Sequence, residues 1–456
     1  MKYIPIITIM ALGMTSCGIY SNYSRPDVVE VESLYNDYTK TKSDSLQSLG
    51  TMPWREMFTD PELQALIAEG LESNTDLQIA LLRIDEAKAG LQASKLAFLP
   101  SLTFSPNGSI TSVDGKKASK IYELPVAMSW EIDLFGKLRN AKKESQALLL
   151  QQTAYMKLVQ SQLIASIANA YYSLLMLDSQ IEISNQTIEI WREQVRTLEL
   201  QLKVGGTREN AVSQARANLS GLLSSLNNLE RQRQEVENAI CTLLGVTSRH
   251  IDRGTLENQT VPEKLSVGVP LHLLSNRPDV VQAEMALAAA YYSTNQARAA
   301  FYPSLTLGGS AGWTNSAGQA VSNPGGWILS ALASLTQPIF QRGKLVSNLR
   351  IAKDEEEIAK LNYKQALLNA GQEVNDALYS IWSYGKDFGY HEQQKEALER
   401  TVKANETLFK TNNATYLELL SSRQDLLSAK LNMVSDKVSQ LQSVVSLYEA
   451  LGGGAM

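Results

Sequence analysis

The sequence predicts a mostly α-helical chain with a small β part, built from one unit written twice: helix, two strands, long helix, helix. Three observations carry this. Phe98-Leu99-Pro100-Ser101-Leu102-Thr103 recurs as Phe301-Tyr302-Pro303-Ser304-Leu305-Thr306, about 200 residues further on. From Lys137 to Val204 there is neither Gly nor Pro. Leu124, Val126, Met128, Trp130, Ile132 and Leu134 alternate with Glu123, Pro125, Ala127, Ser129, Glu131 and Asp133.

The repeat extends beyond that one motif. Upstream, Asp76 matches Asp279 and Ala80 matches Ala283. Downstream, Phe135 with Gly136-Lys137-Leu138 matches Phe340 with Gly343-Lys344-Leu345. Further along, Leu202-Lys203 and Arg216 match Phe409-Lys410 and Arg423.

The long helix follows from the Gly- and Pro-free run, which at about 1.5 Å per residue makes on the order of 100 Å of helix. Within it Leu163, Ile167, Ala170, Leu174, Leu177, Ile181, Ser184, Ile188, Trp191, Val195, Leu198 and Leu202 fall at alternating spacings of four and three, all apolar but Ser184. A period of about 3.5 residues means left-handed supercoiling against neighbouring helices. Gly205-Gly206 stops the helix, and Thr207 starts a returning one to about Leu244. The second copy turns at Asn412-Asn413 and returns from Thr415 to Leu451. Its long helix contains Gly385 and Gly389, where a bend or break is expected. Cys241, at an apolar helix end, reads as core packing.

The strands lie between these helices. The alternation from 124 to 134 gives one apolar and one polar face. In copy two Trp327, Leu329, Ala331, Ala333 and Leu335 alternate with Ser330, Leu332, Ser334 and Thr336, Leu332 breaking the pattern. Preceding strands are expected near Ser101 to Ile110 and Ser304 to Trp313. A sheet covering a globular core gives the same alternation, but helices running away from each hairpin leave no evident core here. Lipid is the other cover, and strands of about 9–11 residues cross a bilayer when tilted. Two hairpins supply four strands, whereas the smallest single-chain membrane barrels have about eight. An open sheet in hydrocarbon leaves unpaired edge groups at several kcal/mol each, so strands in a membrane require several copies of the chain.

Composition removes other classes. With 42 Lys and Arg against 47 Asp and Glu, the 456-residue chain has a formal charge of −5, and no basic run exceeds a pair such as Lys142-Lys143. A phosphate-tracking surface needs a basic excess or stripe, so nucleic acid is excluded as a partner. The two cysteines, Cys17 and Cys241, build no disulfide framework, and His250, His272 and His391 lack metal-ligand spacing. No metal or cofactor is expected. Nor is an enzyme: there is no phosphate loop, no Gly-x-Ser-x-Gly element and no carboxylate pair in a credible pocket.

The first residues read as an address. Lys2, the apolar run Tyr3 to Met14 and small residues before Cys17 have the layout of an export signal. Met14-Thr15-Ser16-Cys17 resembles the bacterial lipoprotein signal, in which the cysteine becomes the acylated new N-terminus. Gly18 after it is similar to the pattern of outer-membrane lipoproteins. Acylation would make Cys17 the lipid-attachment residue, each buried methylene contributing about 0.8 kcal/mol to anchoring.

Taken in order, Trp54-Arg55-Glu56-Met57-Phe58-Thr59-Asp60-Pro61-Glu62-Leu63, the two Phe-x-Pro-Ser-Leu elements, Asp133-Leu134-Phe135-Gly136 and Asn276-Arg277-Pro278-Asp279-Val280-Val281-Gln282-Ala283-Glu284 resemble the TolC-like outer-membrane efflux proteins, specifically the lipoprotein branch serving resistance-nodulation-division pumps. The resemblance covers nearly the whole mature chain. It implies a homotrimer, with a 12-stranded β-barrel in outer-membrane lipid continuing into a periplasmic barrel of 12 helices. It also implies a periplasmic adaptor and an inner-membrane pump as partners. The implied organisation is a signal peptide (1–16), an N-terminal anchor and belt segment (17–60), a first repeat (61–245, strands about 101–135), a belt linker (246–275), a second repeat (276–451, strands about 304–340) and a tail (452–456). The adaptor would contact the hairpin tips at Gly205, Gly206, Thr207, Asn412 and Asn413. Two segments of the motifs also have plain local readings: Thr59 to Glu62 as a capping box, and Arg277-Pro278-Asp279 as a helix start with Pro in its first turn.

In the family the closed periplasmic end is lined by acids just after the second helix turn. Aligned on Thr415-Tyr416-Leu417-Glu418-Leu419-Leu420-Ser421, Glu418 takes the first acidic position, Ser421 replaces the second acid and Ala414 replaces a basic residue. Three symmetry-related carboxylates would favour cations. Thr415 with Glu418 is equally a capping box. Two other readings stay open, a lipid-anchored periplasmic coiled-coil scaffold and the exit channel of a type I secretion system. Nothing in the sequence selects among drugs, detergents and metal ions as cargo.

Overall fold

A computed structural model describes residues 20–29, 49–116, 118–261, 277–314, 326–411 and 415–455. Helix α1 (Pro61–Ser73) leads into α2 (Thr75–Leu96), strands β1 (Ser101–Phe104), β2 (Asn107–Thr111) and β3 (Ser119–Ile132), and helices α3 (Lys137–Lys203) and α4 (Glu209–Leu243). The second half follows as α5 (Pro278–Ala299), β4 (Ser304–Thr314), β5 (Gly326–Thr336), α6 (Lys344–Lys410) and α7 (Tyr416–Ala450). In both halves helix leads to strands, then to a long helix and a returning one, and the long helices are equal at 67 residues each.

Contacts divide the chain into two compact units. One holds the sheet with the adjoining helix segments 82–96, 137–153, 281–299 and 344–365 and the N-terminal residues 20–28. The other holds 49–81, the remainder of α3 and α6, and all of α4 and α7. In this second unit the seam expected along α3 is the core: Leu163, Ile167, Leu174, Leu177, Ile181, Ile188, Trp191, Val195 and Leu198 are buried, and Ser184 is buried with its hydroxyl donating to the Gln180 carbonyl at 2.7 Å. Ala170 and Leu202 are half-buried. Cys241 packs in the same core, as expected.

Several expectations need correction. Gly385 and Gly389 do not break α6, which is helical from Lys344 to Lys410. A Cβ on Gly385 would lie 2.8 Å from the Gln440 side chain, so this glycine makes room for α7, and packing outweighs its propensity cost of about 1 kcal/mol. The first helix of the repeat is two helices. Asn74 ends α1 with extended backbone and starts α2, its Oδ1 accepting the Leu77 N–H at 2.9 Å. The strand expected near 101–110 is split at Ser105-Pro106, because Pro106 has no N–H for the ladder. Leu134 lies beyond β3: Asp133 leaves the strand to accept the Leu138 and Arg139 N–H groups at the start of α3. The cap of α1 is Asp60, not Thr59, because Pro61 occupies the first helical position; Asp60 accepts the Glu62 N–H at 2.9 Å. The return helix α4 begins at Glu209, two residues after Thr207. Pro278 does open α5 as read from the sequence. The adjacent Arg277 is buried, bonded to Asp279, Glu373 and the Ala450 carbonyl.

Candidate functional site

The sheet runs β1 and β2, then β3, β4 and β5, every pairing antiparallel. Register decides which side chains share a face. Leu102 and Phe104 oppose Met128 and Val126; Leu124, Trp130 and Ile132 oppose Trp313, Leu307 and Leu305; Leu335, Leu329 and Trp327 oppose Leu305, Ala311 and Trp313. One face is therefore apolar across all four strand positions. It is uncovered in the chain, with Leu102 70% and Leu329 86% exposed.

Aromatics mark both ends of that face. At one end Trp313 and Trp327 pack with ring centroids 4.4 Å apart. Toward the other, Trp130 Nε1 donates to the Phe98 carbonyl at 2.8 Å, and just past the strands Phe135 stacks on Tyr302 at 5.0 Å. An apolar band between aromatic girdles is the pattern of a strand surface set in lipid. The opposite face carries Ser101, Thr103, Ser129, Thr306, Ser310, Ser330, Ser334 and Thr336. Leu332 is out of place there, opposite Gly308. Among the described residues no helix is long and apolar enough to cross a membrane.

Among the described residues both outer strands have a free edge, and each edge strand adjoins in sequence a helix with an exposed apolar surface. On α2, which feeds β1, Leu82 and Leu96 are exposed; on α6, which follows β5, Val346, Ile351, Ile358 and Leu361 are exposed. The interior helix α5 carries no exposed large apolar side chain. Unpaired backbone and uncovered side chains thus coincide at the two ends of the sheet path.

The first hairpin tip closes as a Schellman turn. Gly205 has φ +72°, Gly206 N–H donates to the Gln201 carbonyl at 2.8 Å, and Thr207 follows. Asn412 and Asn413 lie outside the described residues, as does Cys17. At the second tip Thr415 and Glu418 form the capping box: Thr415 N–H donates to Glu418 Oε2 at 2.8 Å and Glu418 N–H to Thr415 Oγ1 at 3.3 Å. These hydrogen bonds hold the Glu418 carboxyl below its ordinary pKa. Ser421 Oγ lies 3.5 Å from Asp425 Oδ2, so an acid one turn further on, which the alignment passed over, stands behind it.

Sequence reasoning also missed an N-terminal strap. Residues 20–28 lie extended along the sheet-bearing unit. The Tyr20 ring sits beside Gly136 at the start of α3. Lys143 donates to Asn22 Oδ1 at 2.7 Å, Tyr291 OH to the Ser21 carbonyl at 2.9 Å, and Arg25 grips Glu284 with two bonds at 2.8 and 2.6 Å. Glu284 stands in the Asn276–Glu284 motif, where its fitness for a long-range ion pair has no local signal.

A lipid-compatible sheet face, free edges on both sides and paired long helical hairpins are the features of a membrane channel protein. The chain belongs to the family described as Outer membrane efflux protein, which matches residues 66–246 and 269–453. It is an outer-membrane efflux channel of the TolC-like kind. Among its relatives, the cation efflux system protein CusC of Escherichia coli O6:H1 is 28% identical over 450 residues, covering 98% of this chain and 97% of that protein. The probable outer membrane lipoprotein SilC of Salmonella typhimurium is 28% identical over 465 residues, covering 100% and 99%. The crystal structure of the open state of the Neisseria gonorrhoeae MtrE outer membrane channel superposes with a TM-score of 0.85 at 26% identity, covering 96% of this chain and 99% of that one.

Proposed function

We propose that three copies of this chain close their sheets into one 12-stranded barrel in the outer membrane, with the duplicated helical hairpins forming a 12-helix duct below it. The observation that carries this reading is the open sheet itself. Its free edges β1/β2 and β5 lie at opposite ends of the strand path, so one copy's β5 meets the next copy's β1 and β2, and α6 meets α2. Such head-to-tail contacts generate a closed ring. Acyl chains on Cys17 anchor the chain N-terminus, three positions before Tyr20 at the base of the sheet.

The duct is passive. Its barrel wall is lined mainly by Ser, Thr and Gly, with Ala127, Ile328 and Leu332 among them, and its charges among the described residues stand near the ends, at Glu123 and at Glu131, the latter paired with Lys137 at 2.9 Å. A wall of that kind passes chemically different cargo, so an inner-membrane resistance-nodulation-division pump chooses the substrate and supplies the energy. A periplasmic adaptor couples the two by gripping the tips at Gly205, Gly206, Thr207, Asn412 and Asn413. The test is mass and current: detergent-purified protein should run as three copies and conduct ions in planar bilayers. A single subunit without conductance would refute the reading and favour an anchored scaffold.

Glu418 is proposed as the periplasmic gate residue, with Ser421 and Thr415 beside it. Its exposed carboxylate is held in place by the capping box, with Oε2 committed to the Thr415 N–H. Three such groups around one axis attract cations. Glu418→Gln keeps a capping side chain and removes the charge, so cation preference and single-channel current should both change; unchanged values assign Glu418 to its helix alone.

A further inference from the structure

A cavity of about 380 Å³ opens beside the strap, bounded by strap residues, by α5 between Leu287 and Arg298 and by α6 between Lys353 and Lys360. That volume lies within the range of ligand clefts, about 300–1,000 Å³. Its wall carries both signs of charge: Arg298, Lys353 and Lys360 with Glu356 and Glu357. Lys360 lies 3.5 Å from Glu357. Arg298 donates only to Asn295 Oδ1, at 3.0 Å, and Arg298, Lys353 and Glu356 have no ion-pair partner among the described residues. Tyr23 also lines the cavity, and its hydroxyl is buried without a hydrogen-bond partner.

We propose that this cavity holds the phosphoethanolamine headgroup of a phospholipid from the leaflet at the base of the sheet. The phosphate takes Arg298 and Lys353, and the ammonium takes Glu356. Both halves of a zwitterion are then paired, which neither a purely anionic nor a neutral headgroup achieves. Position supports a lipid. The strap runs from Tyr20 at the Gly136 junction directly under the strands, and Arg298 lies six positions before the first residue of β4. This inference rests on the membrane placement of the sheet, and it explains why the strap is held so firmly: with Arg25 clamped to Glu284, the strap forms the outer lip of the site.

The experiment is native mass spectrometry of the full-length protein released from detergent, after delipidation and titration with phosphatidylethanolamine or phosphatidylglycerol. Wild type should retain phosphatidylethanolamine preferentially. The Arg298→Ala/Lys353→Ala double variant should retain it about tenfold less, the loss of two charge-assisted contacts. Glu356→Gln should abolish the preference by raising phosphatidylglycerol to the same level. Soluble glycerophosphoethanolamine should compete only weakly; competition as strong as the lipid's would assign the cavity to a free metabolite and overturn the proposal. Equal retention of both lipids by wild type, or undiminished retention by the double variant, would overturn it as well. Oligomer mass and bilayer conductance recorded on the same samples test the channel separately, so loss of lipid selectivity in a conducting oligomer removes this inference alone.

Discussion

The two helical hairpins are equal in length, 67 and 35 residues in each, yet they are secured differently near their tips. Each carries an ion pair at the same place in the repeat: Arg216 with Glu199 in the first, Arg423 with Glu406 in the second, both at 2.7 Å. The first is a surface pair, the Arg216 side chain being 59% exposed. The second is sheltered. The Arg423 side chain is 15% exposed, and its guanidinium also donates to Gln194 Oε1 of α3 at 3.2 Å, so it ties one hairpin to the other. The turns differ in the opposite sense. The first is fixed by left-handed Gly205 with no side-chain cap on α4, whereas the second is fixed from the helix that follows, by the Thr415–Glu418 box. The two hairpins agree in helix length and in the placing of an ion pair, but each ends by its own means.

The largest effect should come from the sheltered pair. Arg423→Ala strands Gln194 and Glu406 and should lower the opening free energy of amides around 405–423 by about 2 kcal/mol, read by hydrogen exchange. Next, Gly205→Ala forces a Cβ into a left-handed conformation and should cost the first tip about 1–2 kcal/mol, with the second tip unaffected. Thr415→Ala removes one half of the box and should cost about 1 kcal/mol, confined to the start of α7. The box also predicts a pH signature. Because the folded Glu418 carboxyl sits below its ordinary pKa, its contribution is complete above the ordinary glutamate range and disappears as pH falls through the lowered value. The first tip, lacking a capping carboxylate, should show no such loss. Smallest of all, Arg216→Ala should leave exchange at both tips unchanged, since exposed pairs contribute little. An Arg216 effect as large as that of Arg423 would dissolve the contrast.

Much of the fold was legible because its signals are periodic. The 3.5-residue seam of α3 and the two-residue alternation of β3 repeat over many residues, and single exceptions such as Ser184 do not obscure them. What escaped reading depends on partners distant in the chain. Gly385 reads as a helix breaker until Gln440 is known to pass beside it. Thr59 and Asp60 are both capping residues, and only the position of Pro61 chooses between them. Pro106 interrupts a short strand whose composition otherwise suits continuation. At the candidate gate, the capping box was readable because Thr415 and Glu418 stand one helical turn apart. Arg25 with Glu284 and Arg423 with Gln194 were not, because a contact between residues hundreds of positions apart leaves no local trace.

The free edges at β1/β2 and β5 have a genetic consequence. In the ring of three proposed above, every chain would be both donor and recipient of a seam, so one copy with a blocked edge would spoil the whole assembly. Co-expressed with an equal amount of wild type, an edge-blocked variant would leave only about one ring in eight intact. Lesions in these strands should therefore behave as dominant, whereas lesions in the buried helical core, which remove a chain before it can associate, should behave as recessive.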